Sequence, residues 1–204
     1  KKLNYKTELE IKDNNGYTPL MLAVKMQDTE IVELLLENGA NPNFKDELND
    51  TALALASSMK NEEIVKLLLE HNADPDKGNF PPIMWAVIHG NLKILKLLLK
   101  ARADTNFRTP DGWTALMWAT AKNNTQVIWL LLKHGARVNI QNRKGKTALI
   151  LAARRGNLST IRLLLNKGGD PLVVDFYNKN AADYARDSQR TEVIKLLNQV
   201  GHRS

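Results

Sequence analysis

Six alanines, Ala23, Ala56, Ala86, Ala119, Ala152 and Ala185, recur at one spacing, broken only between the second and third, and five residues before each is a Thr, a Pro or an Asn. A long period of this kind rules out one mixed core. Each interval is a supersecondary unit too small to bury its own apolar face, so neighbours must stack and share one. The first unit reads DNNGYTPLMLAVKMQDTEIVELLLENGANPNFK and the fifth NRKGKTALILAARRGNLSTIRLLLNKGGDPLVV. The period divides the chain into 13–45, 46–75, 76–108, 109–141, 142–174 and 175–204. Residues 1–12 end in parallel with ANPNFK and are expected to be the tail of a truncated preceding repeat. The sequence opens Lys1-Lys2 without an initiator methionine, so a piece of a longer protein is expected.

Within one unit the local signals are helical. Thr18 is a good N-cap and Pro19 fits the first helical position, where its missing N–H costs nothing. Leu20, Ala23 and Val24 fall on one face, and Ile31, Leu34 and Leu35 are expected to do the same in the next helix. A small residue at the repeated alanine permits close helix approach, and Gly39 and Gly135 can close second helices at positive φ. The fold class is therefore an all-α solenoid of six helix–turn–helix units with projecting turn or hairpin fingers. The second unit is three residues short, and its connection ADPDKGNFPP puts Pro81 in place of the capping Thr, which predicts a stunted finger. The sixth has Ala182 where the others have Leu or Ile and polar residues elsewhere, as a C-terminal cap would.

The 43% hydrophobic content excludes disorder, and no run of eighteen apolar residues exists, so insertion into a membrane is not expected. The absence of cysteine removes disulfides and thiolate chemistry. His71, His89, His134 and His202 are scattered, with no pair at helical ligand spacing, and His71 and His134 sit where second helices end. Nucleophile elbows, P-loops and dinucleotide fingerprints are missing. No enzyme activity, catalytic residue, metal or cofactor is expected. Charge is uneven: residues 1–100 hold 12 Lys and Arg against 15 Asp and Glu, whereas residues 101–204 hold 17 against 7.

The unit as a whole, with its GxTPL opening, its V-x-x-L-L second helix and its G-A-x-x-N turn, resembles the ankyrin repeat over residues 13–204. That resemblance implies a concave groove lined by the outward face of the first helices and by the turn residue before each Thr. Helical geometry assigns that face: at about 100° per residue, the position before each alanine and the two positions after the Ala-x pair all point away from the side of the core leucine. The position before the alanine holds Leu22, Leu55, Trp85, Trp118, Leu151 and Tyr184, and the turn holds Tyr17, Asp50, Phe80, Trp113, Lys146 and Lys179. Tyr17, Phe80, Trp85, Trp113 and Trp118 are thus candidate partner contacts, with Trp85 and Trp118 open to a core reading as well and Trp113 expected to be exposed. The fifth unit supplies Arg143, Lys144, Lys146, Arg154 and Arg155, with Lys122 beside them. Like charges gathered on one face call for an anionic partner. Trp129 replaces residues that are charged in the other units and is expected on the opposite surface.

The function expected is a protein-binding adaptor or targeting domain, monomeric, in the cytoplasm or nucleus, or in the host cytosol if the chain is a bacterial effector. Its partner would be a segment with apolar and acidic or phosphorylated residues. A second reading is a receptor for a phosphorylated small molecule or short oligonucleotide, as the similarity to the ankyrin groove of ribonuclease L implies; nucleic acid ranks behind protein. The GWTALMWAT stretch also resembles the segment that builds a methyl-lysine cage in euchromatic histone lysine methyltransferases. The adjoining Lys122, Arg154 and Arg155 would repel that ligand.

Overall fold

Among the described residues twelve helices follow one another in pairs because each pair has its own start signals. The computed structural model describes residues 8–201, so most of the expected repeat tail, residues 1–7, lies outside the described part. The pairs are α1 (Pro19–Met26) and α2 (Thr29–Glu37), α3 (Ala52–Ser58) and α4 (Glu62–Glu70), α5 (Pro82–His89) and α6 (Leu92–Lys100), α7 (Ala115–Ala121) and α8 (Thr125–Lys133), α9 (Ala148–Arg155) and α10 (Leu158–Asn166), and α11 (Ala181–Asp187) and α12 (Thr191–Gly201). The hydroxyls of Thr18, Thr51, Thr114 and Thr147 accept the N–H three residues on, and Asp28, Asn61, Asn91, Asn124 and Asn157 cap the second helices in the same way. Pro81 provides no side-chain cap, and Asn180 forms a capping box with Asp183.

The chain divides into two compact units, Lys1–Asp104 and Thr105–Ser204. In the first, α3 packs between α1 and α5, and α4 between α2 and α6. In the second, α9 packs between α7 and α11, with α10 on α8. All six repeated alanines are buried, as the close approach of first helices requires. One part of the helical-face expectation fails. Ile31 and Leu34 are 43% and 59% exposed, while Val32 and Leu36 are buried. The counterpart of Ile31 in the next pair, Ile64, is covered because α4 has α2 packed against it, whereas no second helix of an earlier pair is among the described residues to cover α2.

The connecting fingers are tight turns, and no strand forms among the described residues. In the turn at 142–146, Asn142 Oδ1 accepts the N–H groups of Lys144 (2.9 Å) and Lys146 (3.0 Å). Asp13, Asp46 and Asp175 hold their turns identically. The expected stunting is seen at 74–81, where Asn79 instead donates backwards, from its backbone N–H to the Asn49 carbonyl (3.1 Å) and from Nδ2 to the Leu48 carbonyl (2.9 Å).

A second series of side chains joins successive repeats. Asn43 Oδ1 accepts the Asp74 N–H (2.7 Å) while its Nδ2 donates to the Asn72 carbonyl (3.0 Å), and Asn106 and Asn139 repeat this with Gly135 and Gly168. Asp76 takes the same place and accepts the Asp104 N–H at 2.7 Å, but a carboxylate has no hydrogen to give the carbonyl of Arg102, which stands where Asn72, Gly135 and Gly168 stand. Loss of solvation raises the Asp76 pKa, the Asp104 N–H bond opposes this, and the charges of Asp104 and Asp74 add to the rise. Asp76→Asn is expected to stabilise the fold by about 0.5 kcal/mol at neutral pH. A folded-state pKa above the unfolded one means that the stability Asp76 contributes is present below the unfolded pKa and lost as pH rises through the folded one. Urea midpoints should therefore show a larger advantage for Asn at pH ~7 than at pH ~4; an equal or reversed difference contradicts this reading of the ladder.

Candidate partner-binding groove

The second unit builds its groove from the end of α9 and the turns on either side. Arg154 and Arg155 close α9 on its outward face, and Gly156 terminates the helix at φ 84°, its N–H donating to the Ala152 carbonyl. Arg190 runs directly across this glycine: a Cβ on Gly156 would lie 2.7 Å from Arg190 Cδ and 2.9 Å from Nε. The turn at 142–146 fans out Arg143, Lys144 and Lys146, and the Arg143 N–H donates to the Asp111 carbonyl of the preceding turn (3.0 Å). Together these enclose an open groove of about 1420 Å³ that Trp113 also lines, with Asp111 as its one carboxylate among the described residues.

Not all the cations are equally available. Lys146 Nζ sits over the Tyr184 ring, 4.4 Å from its centroid, and Tyr184 donates its hydroxyl to Asp175 Oδ2 at 2.6 Å. Desolvation pushes the Lys146 pKa down; Asp175 opposes this, and neighbouring Arg154 and Lys144 add to the fall. Burial and the bond to Asp175 push the Tyr184 hydroxyl up to about 12, so it stays protonated as the donor. Asp175 is buried, which alone would raise its pKa. The bonds from Tyr184, Lys179 and Tyr177 and the charge of Lys146 outweigh that and lower it. Lys146 thus answers to Tyr184 and Asp175, whereas Arg143, Lys144, Arg154, Arg155 and Arg190 form no ion pair among the described residues.

The aromatic candidates fall into contacts within each unit. Trp113, expected to be exposed, is half-buried because its ring lies 5.0 Å from that of Trp118, tilted by 44°. Trp118 is half-buried too, and its Nε1 is buried without an acceptor among the described residues. An unmet indole N–H is costly, and a phenylalanine would cover the helices without it, so simple coverage explains Trp118 poorly. In the first unit Phe80 meets Trp85 edge-on at 4.9 Å, Trp85 stacks on His89 at 5.9 Å, and Tyr17 lies under Lys25 Nζ at 3.7 Å. Lys122 is exposed at the end of α7 and outside the groove lining, although its neighbours Ala121 and Asn123 belong to it. Trp129 is 51% exposed on α8 beside Lys133. His71 and His134 end α4 and α8, each with Nδ1 donating to the carbonyl four residues back. No cluster of metal-ligating side chains exists among the described residues, and none of their helices is long and apolar enough to cross a membrane.

Arg190 is the groove residue that sequence reasoning missed. Its signal was the same period: positions 28, 61, 91, 124 and 157, which cap the second helices, hold one Asp and four Asn, and the next, 190, holds Arg. An arginine cannot accept the N–H groups that those side chains accept, and its side chain turns over Gly156 into the groove.

Comparison with known proteins agrees with this architecture. The family description ankyrin repeats (3 copies) matches residues 1–79 and 76–142, and ankyrin repeats (many copies) matches 131–185. None of the curated proteins matches. Among solved structures, the ankyrin repeat domain of Bcl-3, a unique member of the IkappaB protein family, is 32% identical with a TM-score of 0.81 over 94% of this chain and 86% of that one. An ankyrin repeat domain from Acinetobacter baumannii AYE is 29% identical, TM-score 0.83, over 90% and 97%. The ankyrin repeat protein EF0377 is 30% identical, TM-score 0.80, over 89% and 96%. The chain belongs to the ankyrin-repeat family, an all-α fold whose repeats generally mediate protein–protein interaction and are typically non-enzymatic.

Proposed function

We propose that the groove of the second unit holds a partner segment that sets acidic or phosphorylated residues against Arg143, Lys144, Arg154, Arg155 and Arg190 and an apolar side chain against Trp113 and Trp118. The observation that carries this is the gathering of five cations, unpaired among the described residues, around one open groove beside a partly open tryptophan pair. Five like charges left uncompensated cost folding free energy, and an anionic ligand returns that cost on binding. The tryptophans add the amphipathic anchoring area common at interfaces. A methylated lysine is disfavoured by the same cations.

The test is a parallel pull-down with wild type, Trp113→Ala/Trp118→Ala and Arg154→Glu/Arg155→Glu, with helical circular dichroism as folding control. Wild type is expected to retain partners that both folded variants lose. Equal recovery by all three rejects the groove. Displacement of those partners by a nucleotide or short oligonucleotide at its own binding concentration would move the reading to a small-molecule receptor.

A further inference from the structure

Building on the anionic-partner reading, we infer that the subsite formed by Arg154, Arg155 and Arg190 takes a phosphomonoester on a side chain of the partner segment in preference to a carboxylate. Three guanidinium groups come from two separate elements. Arg154 and Arg155 end α9, and Arg190 crosses from the start of α12 over the bare backbone of Gly156, next to Arg155. The bare backbone of Gly156 leaves room for the crossing as described: a methyl at 156 would lie 2.7 Å from Arg190 Cδ, and the arginine would have to shift aside. None of the three has a carboxylate partner among the described residues.

The chemistry separates the two anions. A carboxylate brings one charge and two oxygens, and one bidentate guanidinium satisfies it. A phosphomonoester brings a charge of roughly −1.5 to −2 and three oxygens, enough for several guanidinium forks. A subsite of three arginines, with Arg143 and Lys144 lining the same groove, is oversupplied for a carboxylate and matched to a dianion. The ligand also carries its own pH signature, since its second ionisation lies near pH ~6. The groups facing the groove or packed behind it are Asp111, Lys144, Lys146, Asp175 and Tyr184 besides the arginines, with no histidine or cysteine among the described residues there whose ordinary titration falls in that range.

Three fluorescent peptide libraries test this, each with random flanks around one fixed central residue: phosphoserine, glutamate or alanine. With wild type at pH ~7.5 the phosphoserine library is expected to bind at least ~10-fold tighter than the glutamate library, and the advantage should shrink severalfold at pH ~5.5 as the phosphate gains its second proton. Arg190→Gln is expected to bring phosphoserine down to the level of glutamate with unchanged helical circular dichroism, and Arg190→Lys to recover part of the difference. Equal binding of phosphoserine and glutamate by wild type overturns the inference, as does an Arg190→Gln variant that keeps the full ratio. If those two libraries bind equally but both lose binding to Arg154→Glu/Arg155→Glu, the anionic groove stands and only the phosphate preference falls; if neither exceeds the alanine library, both fall. Displacement of the phosphopeptides by inorganic pyrophosphate at equal concentration would show a small-polyanion site and overturn the peptide assignment.

Discussion

Gly145→Ala is expected to destabilise the second unit by about 3 kcal/mol, a large loss for one methyl group. About 1–2 kcal/mol comes from forcing a Cβ onto a left-handed backbone, and overpacking adds about 1–3. At φ 77° a Cβ here would lie 2.8 Å from both Asp175 Cα and Phe176 N, and these are backbone atoms that no rotamer change can clear. The contact is tight because successive turns are joined, the Phe176 N–H donating to the Lys144 carbonyl at 3.2 Å. Gly135 is the control: it has φ 87° but nothing within 4 Å of its Cβ position, so Gly135→Ala is expected to cost only about 1 kcal/mol. Urea unfolding of both variants checks the pair. Equal losses would mean that the turns do not hold each other at the distance described.

Arg154→Glu/Arg155→Glu is expected to weaken binding of an acidic partner peptide about 100-fold or more, close to 2.7 kcal/mol, while the urea midpoint stays the same or rises. Each substitution turns an attraction into a repulsion at the groove, and Arg154→Glu also relieves the crowding that Arg154 imposes on Lys146. Wild-type affinity should also fall as salt rises, and the variant's should not. Loss of binding together with loss of stability would point to a structural role for the two arginines. A site that costs stability in the free protein and returns it to a ligand behaves in the opposite sense.

The architecture was legible because it is local and repeated. Thr at the caps, Pro19 at the first helical position and the recurring alanine each have a short-range cause, and each is found in place. Side-chain exposure was harder, since it depends on what lies across the gap. Ile31 and Leu34 have the periodicity of core residues but no second helix of an earlier pair among the described residues to cover them, and Trp113 is half-buried against Trp118, a neighbour whose rotamer the spacing does not fix. The cluster at the end of α9 was visible as charge type and position, and Arg190 carries its own sequence signal, an arginine where the period places a capping Asp or Asn. The partner of Lys146 was out of reach: it lies in the following repeat, in Tyr184, itself oriented by a bond to Asp175. The change of charge sign along the chain coincides with the division of the fold, the first unit holding 13 Lys and Arg against 16 Asp and Glu and the second 16 against 6.

The most direct measurement uses the four tryptophans as reporters, because each gives one indole N–H resonance in a ¹⁵N-labelled sample. Titration with an acidic, aromatic-containing peptide that wild type retains and Arg154→Glu/Arg155→Glu does not should move the Trp113 and Trp118 indole signals together and leave Trp129 in place. Movement of Trp129 with Trp113 and Trp118 unmoved would contradict a partner seated in this groove.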